Sequence, residues 1–176
     1  MFEDYKLKPD NLSECRPLGE VRLDEPLAWE MISDQVMGGC STGELNLLVE
    51  RQGKACACLQ GDVSLENNGG FLQMKSPLPA DINAGDFQGL FIELLGGGHA
   101  VDIRLKTTDL QRPWQSFRVA LEPAPEWQTW WLPFSAFQPH RTEAALDPEQ
   151  LRSVAVVAIG EAMRVDVCVA TWGLYR

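Results

Sequence analysis

Strand-length runs that alternate apolar and polar residues recur along the whole chain, separated by short Gly, Pro and Asn signals. A period of two sends successive side chains to opposite faces, so each run can cover a core with one face and meet water with the other. Glu44 to Arg51 sets Leu45, Leu47 and Val49 on one face. Lys54 to Gln60 follows Gln52-Gly53, a hairpin-turn signal. Phe71 to Lys75 ends before Ser76-Pro77, and Gly89 to Leu95 is apolar on both faces, as a central strand should be. Val101, Ile103 and Leu105 alternate with Asp102, Arg104 and Lys106. Trp114 to Leu121, Glu126 to Leu132, Ser153 to Ile159 and Val165 to Trp172 complete a set of about nine strands. Helical signals amount to one or two short turns. One is Pro26 to Met31; the other is Asp147-Pro148-Glu149-Gln150, an N-cap followed by Pro at the first helical position. The pattern predicts an all-β antiparallel sandwich or barrel.

At 176 residues the chain is long enough for one domain with a self-sufficient core. Residues 1–17 read as a peripheral segment and 18–176 as a single domain. Fifteen basic against twenty-five acidic residues leave a net charge of −10. That balance repels phosphate backbones, so nucleic acid is not an expected partner without a local basic patch. The first residues lack an apolar core of signal-peptide type, and no stretch approaches about 18 consecutive apolar residues. The expectation is a cytoplasmic protein that does not enter a membrane. The cysteines are Cys15, Cys40, Cys56, Cys58 and Cys168. Their odd count and the absence of Cys-x-x-Cys predict free thiols, with buried ones packed as small hydrophobes.

Two Gly-rich runs stand out. Asp34 to Gly43 carries three glycines in six residues and can form a turn or present Asp34 and Ser41 to a ligand. It lacks the Gly-Lys-Ser/Thr ending of a phosphate loop and precedes a strand rather than a helix. Glu66 to Phe71 contains Asn68-Gly69, which suits a type I′ hairpin, and Asn68 could instead face a ligand. Gly96-Gly97-Gly98 reads as a third, flexible hairpin. His99 and His140 have no partner spacing that defines a catalytic triad. Of six tryptophans, Trp127, Trp130 and Trp131 share one strand, with Trp130 on the opposite face from the other two. An exposed ring there, beside a polar row of Asp102, Arg104 and Lys106, would make a recognition surface.

These motifs together resemble the complex I intermediate-associated protein family. The resemblance is carried by Asp34-x-Val36-Met37-Gly38-Gly39-x-Ser41, by Gly61 through Phe71, and by Trp127-Gln128 with Leu132-Pro133-Phe134-x-x-Phe137. It implies a galactose-binding-like jelly-roll sandwich. Mitochondrial members are assembly factors for respiratory complex I without known catalysis, and small stand-alone members occur in bacteria. Arg104 stands where the family has a basic residue, Gln115 follows Trp114 where the family usually has Tyr-Gln, and Arg141 follows the third motif. Arg141-Thr142 replaces the family's Arg-Gly, and the tyrosine expected near Val101 is absent.

The expected function is therefore non-catalytic: a scaffold that binds protein, respiratory-complex subunits being the implied partners. Asp34, Ser41, Asn68, Arg104, Gln115 and Arg141 would line or brace one surface, with Trp130 and Arg141 as anchors. The alternative is a small-ligand module for carbohydrate, with Trp130 or Trp114 stacking on the sugar and Asp102, Arg104 and Gln128 bonding its hydroxyls. No cofactor is expected, and a calcium ion, if held, would be structural.

Overall fold

The computed structural model describes residues 5–18 and 29–176. Among them run twelve strands: β1 (Cys15–Pro17), β2 (Glu30–Ser33), β3 (Thr42–Arg51), β4 (Lys54–Val63), β5 (Phe71–Pro77), β6 (Gly89–Gly96), β7 (Val101–Thr107), β8 (Ser116–Leu121), β9 (Gln128–Pro133), β10 (Gln138–His140), β11 (Leu151–Ile159) and β12 (Met163–Tyr175). They form two sheets in which every pairing is antiparallel. The first has the order β3-β4-β12-β6-β9, with β1 added to the end of β12; the second runs β10-β8-β7-β11-β5-β2. The sheets close on a common core, with Leu59, Ile92, Trp130 and Trp172 from the first and Met74, Ile103, Phe117 and Val156 from the second. This is a jelly-roll β-sandwich, and all nine strands read from alternation are in it.

The strands that alternation does not reveal are the short ones. β1, β2 and β10 hold only three or four residues each, too few to display a period. β1 lies in the segment expected to be peripheral; its residues are exposed, yet they pair with β12 from Cys15–Tyr175 to Pro17–Gly173. Of the expected turn at Pro26–Met31, residues 26–28 lie outside the described residues, and Glu30 and Met31 open β2 instead. The turn at Pro148–Gln150 forms as expected, the Asp147 carboxylate accepting from Glu149 N at 3.0 Å.

Local chemistry explains the other departures. Gln52 and Gly53 both take positive φ, 48° and 82°, which is the type I′ turn the β3–β4 hairpin needs. The Asn-Gly pair makes no such hairpin, because β4 and β5 belong to different sheets. There the positive φ values fall on Asn67 (57°) and Gly70 (135°), around a short 3-10 turn at Glu66–Asn68. Gly96 to Gly98 likewise links one sheet to the other rather than closing a hairpin. Within β3 the register shifts between Asn46 and Val49. Leu45 packs on the main core, whereas Val49 packs on a second cluster, so the three apolar residues do not share a face.

That second cluster lies on the outer face of the first sheet and comprises Cys56, Cys58, Leu95, Cys168 and Ala170, with Val49 and Trp127 against it. Cys58 and Cys168 face each other across β4 and β12, with Cα atoms 4.1 Å apart, and form a disulfide. This corrects the expectation of free thiols at those positions: cross-strand register, invisible in cysteine spacing, sets them face to face. Cys56 remains a buried thiol with its Sγ 3.6 Å from that of Cys58, and burial pushes its pKa up. Beside the cluster, Arg51 pairs with Asp166 at 2.8 Å, and the Trp127 indole N–H donates to the Arg51 carbonyl at 2.9 Å.

Candidate functional site

The two Gly-rich motifs meet in space, and they meet on one carboxylate. Ser33 caps a 3-10 turn at Asp34–Met37, and Gly38 ends it with a φ of 88°. Asp34 is fully buried, and its carboxylate accepts from Ser41 N at 3.0 Å, from the Ser41 hydroxyl, from Gly70 N at 2.6 Å and from Phe71 N at 3.2 Å. Burial pushes its pKa up, but these hydrogen bonds outweigh it and leave the group below the usual carboxylate value. Ser41 Oγ also accepts from Ser64 N at 2.9 Å. The glycines follow from this geometry: a Cβ on Gly69 would sit 2.6 Å from Asp34 Oδ2, and one on Gly39 would press on the same carboxylate. Asp34 and Ser41 therefore brace the loops from within, and Asn68 ends the 3-10 turn that leads into Gly70.

The knot holds apolar side chains out into solvent. Val36 is 77% exposed and Met37 64%, both on the capped turn, and Leu65 is 50% exposed on the opposing loop. Asn67 Nδ2 to Cys40 Sγ, 3.3 Å, ties the two loops again at their tips.

A second surface is the outer face of the second sheet. Inward residues such as Leu105 and Phe117 are fully buried, so alternation turns Lys75, Asp102, Arg104, Lys106, Ser116 and Arg118 outward. Register aligns Lys75, Ala155, Arg104, Arg118 and Gln138 in one row across five strands. The Arg104 guanidinium donates twice to Asp102 Oδ2, at 2.8 and 3.1 Å, and Arg118 approaches the same oxygen at 3.8 Å. Lys75 meets Glu30 at 3.3 Å. Lys106 donates to the Pro113 carbonyl, which places the 55%-exposed Trp114 at the end of the face. Arg112 lies over that indole, 5.9 Å from the ring centre, and Gln115 Oε1 fixes the loop by accepting from Gln111 N and Arg112 N. Lys106 is held below the usual lysine value, first by burial and then by Arg152, Lys75 and Arg104. Burial does the same to His140, followed by repulsion from Arg118, Arg104 and Arg141, with Asp102 opposing.

The residues singled out in the sequence thus fall in three places. Asp102, Arg104, Trp114, Gln115 and Arg141 belong to the second sheet's outer face or its rim. Asp34, Ser41 and Asn68 sit at the Phe71 end of β5, whereas Gln115 and Arg141 adjoin the Ser116–His140 pair at the opposite end of that sheet. A strand of that length spans roughly 20 Å, so they do not form one cleft. Gln128 and Trp130 lie in the other sheet, because β9 pairs with β6 and not with β7. Trp130 is 1% exposed in the core and is no surface anchor; Gln128 Nε2 donates to the Thr129 carbonyl. Lys75, Arg118 and Arg152 were not singled out, since each is a lone outward cation until strand order sets them side by side.

The solved structures similar to this jelly-roll sandwich include a family 11 carbohydrate-binding module of a Clostridium thermocellum cellulosomal cellulase. That module has a TM-score of 0.73 at 13% identity, covering 93% of this chain and 97% of its own. The same kind of module solved with a mixed-linked β-1,3-1,4 tetrasaccharide has a TM-score of 0.72 at 14% identity, covering 91% and 94%. A family 30 module from that organism has a TM-score of 0.60 at 13% identity, covering 92% and 96%. At such identities the likeness is one of fold. Residues 21–165 match the family described as Complex I intermediate-associated protein 30, and the chain belongs to that family. No curated protein matches it.

Proposed function

We propose that this chain is a non-catalytic scaffold that holds a protein partner through its paired Gly-rich loops. The observation that carries the reading is the exposure of Val36 and Met37 on a turn pinned by the buried Asp34 knot. Exposed apolar side chains cost little to desolvate and gain from burial in a partner, and a rigid turn loses little entropy on docking. The family description supports subunits of a complex I intermediate as that partner. The test is capture from native-host lysate with the intact chain and with Met37→Asp, both checked for equal melting temperature. Complex I subunits should be recovered by the first and lost by the second. Recovery of none, or equal recovery by both, would overturn the reading.

A second reading is favoured by a different observation. Trp114 is exposed at the end of a polar sheet face, and the three similar structures named above are carbohydrate-binding modules. On this reading the outer face of the second sheet holds a glycan.

A further inference from the structure

We infer that the outer face of the second sheet is a site for an anionic polysaccharide, one bearing carboxylates along its length; this rests on the glycan reading of that face. The charge distribution carries the inference. Lys75, Arg104, Lys106, Arg118, Arg141 and Arg152 gather on this face and its rim, six of the fifteen Lys and Arg residues of a chain whose net charge is −10. Among the described residues, the acidic groups paired with them are Asp102 and Glu30. Asp102 is largely used up by Arg104, and the exposed Lys75–Glu30 pair at 3.3 Å contributes little. The guanidinium groups of Arg141 and Arg152 make no hydrogen bond or ion pair among the described residues, and Lys106 spends one donor on a carbonyl. Cations held this close to one another repel, and a bound polyanion removes that repulsion.

Shape narrows the ligand further. The row from Lys75 to Gln138 crosses five strands, so it spans roughly 19 Å at right angles to them. Ala155 lies in the row between Lys75 and Arg104, and Val157 and Ala120 flank Asp102 in the parallel row, so small or buried side chains keep the face low beside the arginines. A long, low row of this kind takes an extended chain rather than a compact metabolite. Trp114 adds a flat apolar platform at one end, suited to a sugar ring and of no use to a string of aspartates. At the β10 edge Pro139 offers no N–H to an added strand, which disfavours a peptide there. The hydroxyl of Ser116, opposite His140 on this face, is buried without a hydrogen-bond partner.

The experiment is calorimetric titration of the full chain with polygalacturonate fragments. The same fragments with methyl-esterified carboxyls and an oligoglutamate of matched charge serve as comparisons, against wild type and Arg118→Ala/Arg152→Ala of equal melting temperature. Binding of the polyuronate, weakened tenfold or more by esterification, by the double variant and by added salt, with no oligoglutamate binding, is the expected result. Equal binding of the ester would keep the glycan reading and overturn the anionic one. Oligoglutamate binding as tightly as the polyuronate would overturn it in favour of an acidic protein segment. Polyuronate binding unchanged in the double variant would move the site elsewhere and overturn the assignment. Binding of none would overturn both the assignment and the glycan reading.

Discussion

Asp34 shows how a single side chain can explain a motif. Three backbone N–H groups and one hydroxyl converge on it, and two glycines have no Cβ because its oxygens occupy that space. Asp34→Ala would leave those N–H groups buried without acceptors, each costing about 1–3 kcal/mol. We expect a loss of about 3–5 kcal/mol, seen as a melting temperature lower by about 10 °C. Acid should act in the same way on the wild type. Because the folded pKa lies below the unfolded one, the carboxylate stabilises the fold above the ordinary Asp range, and that contribution disappears as pH falls through the folded value. The melting temperature of Asp34→Ala should therefore fall less than that of the wild type between pH 5 and about pH 2; parallel curves would contradict the role given to this group. The types and spacing of these residues were legible in the sequence as two turn signals. Their convergence was not, because the motifs are 36 positions apart and the contact exists only once β3, β4 and β5 are folded.

Among the elements, alternation, or for β6 a continuous apolar run, identified every strand of six residues or more, since burial of one face writes a period of two into the sequence and burial of both erases it. It failed where a strand is too short to show a period, as in β2 and β10, and where a bulge inverts it, as in β3 after Asn46. It also says nothing about neighbours. Trp130 and Arg104 look like parts of one surface until β9 is found beside β6, in the other sheet. Pairing likewise decides the cysteines, since only the β4–β12 register brings Cys58 opposite Cys168. That disulfide closes a sequence separation of 110 residues, and its loss should cost about 3–5 kcal/mol. Under non-reducing denaturation an alkylating agent should modify Cys15, Cys40 and Cys56 only, and a thiol reductant should lower the melting temperature by roughly 10 °C. Modification of all five cysteines without reductant would show that the bridge does not form. Cys15→Ser should leave both results otherwise unchanged, its thiol being exposed and distant in register from the pair.

At the scale of the molecule, the two surfaces sit apart: apolar loop tips at one end of the second sheet, cations across its face and far rim. On the proposed readings, a partner held by the loops leaves the sheet face free, and variants of one surface should leave binding at the other intact. The cationic face has a further consequence that concerns no ligand at all. Six basic groups on one side of a body carrying an excess of ten negative charges should give the molecule a marked electric dipole. In dilute buffer, where the Debye length reaches about 30 Å, the positive side of one copy will be drawn to the negative side of the next. Light scattering should therefore report head-to-tail association at about 10 mM salt that dissolves at about 150 mM, where screening shortens that reach to about 8 Å. For the same reason, a cation-exchange surface should retain this acidic protein at neutral pH and low salt, every molecule turned the same way.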